Sequence, residues 1–201
     1  MPFCTVLKTI AFFSIITSTS FAAPAGADSA RFINGADSSA NGLHRSDCLP
    51  APGCVTQTID LKQGWNLISI NIVPADKTIA RLFDGLQVLE IKNMDYFWSN
   101  AQPAFLCKLQ TFIPGCGYLV NMQTSGKLTV TGTPLSAGSA PAATRTGWVL
   151  IGCPYQSPMS MAAVFGCNFL VIKDFNGFRT PAATQNSLDN IEPGNAYFLR
   201  R

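Results

Sequence analysis

Tyr96 and Trp98 are the residues whose types and spacing in this chain of 201 residues most plainly suggest a binding surface. They flank Phe97. Successive side chains of a strand point to opposite faces, so a core-facing Phe97 turns Tyr96 and Trp98 outward together. Such a pair offers flat apolar faces for stacking on sugars or for anchoring a protein partner. Catalytic constellations are poor by comparison. The single histidine, His44, lies in a stretch rich in Ala, Ser and Gly, and a Ser–His–Asp triad needs a positioned imidazole. No G-x-S-x-G turn occurs. Asp76, Asp95, Asp174 and most other acids sit where turns and helix starts use acids for local reasons. The chain reads as no enzyme.

Metal chemistry is equally unpromising. There is no C-x-x-C pair, and zinc-ligand spacing is missing. The turns Asn93-Met94-Asp95 and Asp174-Phe175-Asn176-Gly177 offer fewer oxygens than the six to eight that calcium takes. No metal and no cofactor is expected.

The N-terminus reads as a targeting segment. Lys8 supplies a positive charge, residues 10–16 form an apolar run, and Ser20-Phe21-Ala22 offers small residues for a peptidase. The run is too short to cross a bilayer of about 30 Å. Residues 1–22 are therefore expected to be a secretory signal, giving a secreted chain that acts extracellularly, at the cell surface or in the periplasm, with no membrane span. Removing them leaves Cys48, Cys54, Cys107, Cys116, Cys153 and Cys167. An even number in an oxidising compartment favours disulfides. Six cysteines allow 15 pairings; the local solution is 48–54, 107–116 and 153–167.

Composition excludes further classes. Hydrophobic residues make up 47 % and charged residues 12 %, with a net charge of +3 and no basic run, which argues against both disorder and nucleic acid. Residues 23–55 are Ala/Ser/Gly/Pro-rich and read as a flexible arm. From residue 56 the texture changes: Thr56–Leu61 alternates as a half-buried strand does.

The elements that must hold Tyr96 and Trp98 emerge from a self-comparison. Gly64-Trp65-Asn66-Leu67-Ile68-Ser69 returns as Gly147-Trp148-Val149-Leu150-Ile151-Gly152. Leu89-Glu90-Ile91-Lys92-Asn93 returns as Leu170-Val171-Ile172-Lys173-Asp174, Phe97 as Phe178, and Pro114-Gly115-Cys116-Gly117-Tyr118 as Pro193-Gly194-Asn195-Ala196-Tyr197. The order is kept throughout. Each copy reads as an extended start, one short helix (opened by Asp76, or by Ser157-Pro158), a hairpin and a final strand. The expected fold is mainly β, with one short helix per repeat. Two similar repeats of about 75–80 residues would pack as a pseudo-two-fold β sandwich or barrel. The duplicated domain would cover 56–201: repeat one 56–132, linker 133–146, repeat two 147–201. The strand at Lys127–Thr131 is expected to do for the second copy what Thr56–Leu61 does for the first. Residues alike in both copies, including Trp65, Trp148, Phe97 and Phe178, read as core. Tyr96 and Trp98, matched by Gly177 and Arg179, are either left free for a task or partly buried under the loop Asn100–Leu106.

The Gly-Trp-Asn-Leu-Ile-Ser opening, the Lys-Asn/Asp hairpin and the Pro-Gly-x-x-Tyr ending resemble the paired "GWNLIS"-type repeat module of bacterial secreted and surface proteins. The likeness covers Ile59–Leu199. It implies an extracellular accessory or surface role and carries no catalytic residues. The functional expectation is thus an exported, non-enzymatic structural or interaction module that associates with itself or with an extracellular protein. The alternative is a carbohydrate-binding module that takes polysaccharide on Tyr96 and Trp98.

Overall fold

Alternation decides the first element. In β1 (Val55–Leu61), Ile59 and Leu61 are buried while Asp60 points to solvent. The structure, a computed structural model, describes residues 53–136, 146–183 and 185–201. The expected signal segment (residues 1–22), His44, Cys48, nearly all of the expected arm and most of the expected linker lie outside these.

β1 runs antiparallel to β7 (Gly126–Pro134) over its whole length, with Ile59 opposite Leu128 and Asp60 opposite Lys127. β7 also pairs with the short β3 (Ile72–Val73). The strand expected to serve the second copy thus completes a three-stranded sheet of the first, and runs two residues into the expected linker. The reason is phase: Leu128 and Val130 present their apolar faces on the same side as Ile59 and Leu61.

Facing that sheet is a second one, ordered β2 (Gly64–Ile68), β6 (Tyr118–Met122), β4 (Val88–Lys92), β5 (Phe97–Ser99), antiparallel throughout. Ile68, Val88, Ile91, Tyr118, Val120 and Met122 project from it into the shared core. The helix α1 (Ile79–Leu82) drops Ile79 into the same core, and Phe112 stacks on Tyr118 with ring centroids 3.7 Å apart. α1 does not open at Asp76 as expected. Thr78 stands at its N-cap, and Asp76 instead accepts the Thr78 N–H at 2.8 Å, in the turn before the helix.

The rest of the chain builds a further four-stranded sheet in the order β8 (Trp148–Gly152), β13 (Ala196–Arg200), β10 (Val171–Lys173), β11 (Phe178–Arg179). A two-stranded ribbon of β9 (Met159–Ser160) and β12 (Asn190–Ile191) leads into α2 (Met161–Phe165). Val149, Met161, Ile172, Tyr197 and Leu199 form this sheet's own core. That core has eight buried residues against sixteen in the first, so less apolar burial supports it. Among the described residues the fold is mainly β, with four sheets and two short helices.

The two four-stranded sheets meet along a backbone seam. Ser69 N–H donates to Gly194 O at 3.0 Å, and Gly152 N–H donates to Gly115 O at 2.9 Å. Ile68 bridges Asn195, and Ile151 bridges Cys116. Beside the seam, Asn71 donates through its amide to Tyr155 O, and Gln156 donates to Asn71 O at 2.9 Å.

The expected disulfide pairing is not formed. Cys54, Cys107, Cys116 and Cys153 are free thiols, which removes 48–54, 107–116 and 153–167 alike. Three of the four are placed by local contacts. Cys107 Sγ lies 3.5 Å from Ser99 O, Cys116 is tied by its backbone to Ile151, and Cys153 Sγ lies 3.8 Å from Tyr155 O.

Candidate functional site

The local structure that places Tyr96 and Trp98 is a tight turn. Asn93 Oδ1 accepts the N–H groups of Asp95 and Tyr96 at 2.8 and 2.7 Å, and Asn93 N–H donates to Tyr96 O. This asparagine bond to the backbone ahead of it closes the β4–β5 hairpin. The same device recurs at Asp174, whose Oδ1 accepts from Asn176 and Gly177 at 2.7 Å each. Both turn acceptors are thus engaged with backbone N–H groups.

The hairpin register then reverses the expected faces. Trp98 stands opposite Ile91, which is fully buried, and Phe97 stands opposite Lys92. Directly opposed residues share a face, so Trp98 turns inward and packs against the first core. Phe97 turns outward, as does Phe178. Tyr96 is exposed but lies before β5. The Tyr96/Trp98 platform is therefore not assembled. Trp98→Ala is expected to cost about 2 kcal/mol of stability in urea unfolding, less than the 3–5 of a fully buried Trp, rather than to remove a ligand contact alone.

The tryptophans expected in the core are the ones that face solvent: Trp65 is 43 % exposed and Trp148 38 %. In β2 the inward position next to Trp65 is taken by Asn66. Its amide ties the β1–β2 turn, accepting from Lys62 N–H at 2.8 Å and donating to Lys62 O at 2.7 Å. In β8 the corresponding inward residue is Val149.

From these strands two outward faces arise. On the first, the register lines up Leu67, Leu119, Lys92 and Phe97 in one row and Trp65, Asn121 and Glu90 in the next. On the second it lines up Leu150, Phe198, Lys173 and Phe178, and then Trp148, Arg200 and Val171. Lys92 Nζ lies 5.2 Å from the centre of the Trp65 ring, and Lys173 Nζ lies 4.9 Å from that of Trp148. An ammonium at this distance from an indole face is attracted by the ring's quadrupole. Lys173 also reaches the Phe198 ring at 5.8 Å, and Arg200 reaches Trp148 at 6.0 Å.

Sequence reasoning missed these faces because it assigned identity between copies to the core. The usable signal was Lys92 and Lys173. A lysine directly after Ile91 and after Ile172 marks an outward row in each sheet, and the rows through it contain aromatic residues.

Two of the acids are paired. Glu90 pairs with Lys92 at 3.0 Å, and Asp189 with Arg179 at 3.1 Å. Burial pushes the thiols of Cys116 and Cys153 above their usual range, which lowers the thiolate share needed for nucleophilic attack. Burial also pushes the phenols of Tyr118 and Tyr197 up to about 12. Each of these oxygens accepts a backbone N–H, Tyr118 from Ile113 at 2.8 Å and Tyr197 from Glu192 at 3.0 Å. No helix among the described residues is long and apolar enough to cross a membrane. The aromatic–cationic set recurs on the outward faces of both four-stranded sheets, and no protein-family model, curated protein or solved structure matches the chain.

Proposed function

We propose that the chain is an exported, non-catalytic interaction module that acts outside the cytoplasm and engages its partner through the outward faces of its two four-stranded sheets. The observation that carries this reading is the outward Trp–Lys–Phe set present on both faces: Trp65, Lys92 and Phe97, and Trp148, Lys173 and Phe178. Large aromatics left on a sheet surface cost solvation, and they are the side chains that dominate binding energy when covered.

The same reading takes the chain as a duplication whose halves meet about a pseudo-two-fold axis. Three features support it. The two sheets share one strand order, the seam hydrogen bonds of Ser69 and Gly152 are reciprocal, and Tyr118 and Tyr197 receive the same kind of backbone bond. A two-faced module can bridge partners, or copies of itself, at a cell surface. The second reading, polysaccharide binding, is favoured by the flat aromatic rows themselves, now carried by Trp65 and Trp148 in place of Tyr96 and Trp98.

Trp65→Ala and Trp148→Ala, alone and together, test the proposal. Each replaces an exposed ring, so folding should persist by circular dichroism. Sedimentation across concentration and a polysaccharide binding screen should show association weakened by about tenfold or more in the double variant. Association or binding that is unchanged in the double variant would overturn the proposal.

A further inference from the structure

The two faces share a plan but differ in charge. On the first face Lys92 is answered by Glu90 at 3.0 Å. On the second face the position of Glu90 is held by Val171, that of Asn121 by Arg200, and that of Leu119 by Phe198. The first face therefore sums to zero. The second holds two cations, and among the described residues neither Lys173 nor Arg200 has a carboxylate partner. It has also gained an aromatic ring: Trp148 and Phe198 meet edge to face at 6.4 Å with Lys173 over both.

We infer that this second face binds an acidic polysaccharide, with Lys173 and Arg200, seated over Trp148 and Phe198, taking carboxylates, the edges of those two rings flanking the sugars and Phe178 receiving a sugar face. The inference rests on the interaction-module reading and names the partner of one of its faces. Charge complementarity selects the occupant. A second copy laid on this face by its own equivalent would set Lys173 and Arg200 against like charges, and the first face has no net negative charge to offer it. Nucleic acid asks for a row of cations that follows the phosphates; here there are two, in a chain whose net charge is only +3. An acidic glycan needs fewer cations and more apolar contact, and this face supplies that proportion. The two cations already lie over ring faces, so pairing with a carboxylate orders them little further, which lowers the entropic cost of binding.

The test uses the full chain against polygalacturonate, the same polymer as its methyl ester, a neutral glucan, and single-stranded DNA. The expected result is binding to polygalacturonate that the ester does not reproduce and that weakens as salt rises from about 50 to about 300 mM, since exposed ion pairs are screened. Lys173→Gln with Arg200→Gln should weaken it by at least tenfold. Lys127→Gln, which removes an exposed lysine paired with Asp60 on another sheet, should leave it unchanged. Equal binding of acid and ester, or insensitivity to the double substitution, overturns the inference and leaves the module reading standing. So does self-association sensitive to Trp65→Ala without polymer binding. Preference for DNA overturns it in favour of nucleic acid. If the chain neither binds a polymer nor associates with itself or a partner protein, both readings fall.

Discussion

Replacing Gly152 by alanine is expected to destabilise the fold by about 3 kcal/mol or more, at the upper end of overpacking costs, and to lower Tm by roughly 6–12 °C. The added Cβ would stand 2.0 Å from Ser69 Oγ, 2.4 Å from Ser69 Cβ and 3.0 Å from Cys116 O. The first two atoms belong to a side chain that is completely buried, and Ser69 N–H is itself committed to Gly194 O. No rotamer change relieves a clash with a Cβ. The strands would have to separate, lengthening the Gly152–Gly115 hydrogen bond beside them. Ser69→Gly removes both obstructing atoms, together with a hydroxyl that has no hydrogen-bond partner among the described residues. In the Gly152→Ala background it should restore most of the lost stability, giving a coupling of about 2 kcal/mol in a double-mutant cycle followed by thermal melting. Additive effects would show that the two positions do not meet. Under the two-fold reading the collision has a simple origin. Ser69 and Gly152 occupy the same place in the two copies, and equivalent positions beside a two-fold axis face one another, so both cannot carry a full side chain.

Much of the frame was legible in the sequence because it depends on local period. Thr56–Leu61 alternates and forms β1; the Leu-x-Ile-Lys segments form β4 and β10; the Asn93 and Asp174 turns close hairpins. What was not legible is what period alone leaves undecided. Alternation says that Phe97 and Trp98 face opposite ways, but not which of them faces in. That is settled by register, which sets Trp98 opposite Ile91, and a register shift of one would exchange the two faces. The same limit hid the outward tryptophans. Recurrence of a residue type is no guide to burial: Trp65 and Trp148 follow the same Gly-Trp pattern, and both are exposed. Partner choice for Lys127–Thr131 failed for a different reason. A strand that alternates fits any half-covered sheet, and only long-range pairing with β1 distinguishes the first half from the second. Cysteine proximity along the chain likewise carried no geometry: only eight residues lie between Cys107 and Cys116, yet Cys107 Sγ meets Ser99 O while Cys116 bridges Ile151.

Alkali is expected to unfold this protein through Tyr118 and Tyr197. Both side chains are buried, about 1 % exposed, and both phenols are pushed up to about 12 by the loss of solvation, against an ordinary value near 10. The backbone N–H of Ile113 or Glu192 favours the phenolate, but burial outweighs it. The direction of the linkage follows. Between pH about 10 and about 12 the unfolded chain releases the two protons while the folded chain keeps them, so the unfolded state binds fewer protons and stability falls as pH rises. The contribution is complete below pH about 10 and is lost by the time pH passes about 12. Two shifts of this size amount to several kcal/mol together, on the order of 2 kcal/mol each. Lysines and thiols titrate nearby, so the comparison that isolates the effect is with Tyr118→Phe and Tyr197→Phe. Each should be about 1 kcal/mol less stable at pH 8, because a backbone N–H loses its acceptor. Each should also lose less stability than the parent between pH 8 and 12, and the double variant least of all. Urea unfolding across that range reads the slopes directly, and a double variant as steep as the parent would remove the tyrosines from the account. The expected equality of the two single variants is the sharper part. Tyr118 sits in the larger core and Tyr197 in the smaller, yet both are held by the same backbone contact in the same kind of loop. If local desolvation and that contact set the phenol's titration, the two slopes match; if the size of the surrounding core sets it, Tyr118 dominates.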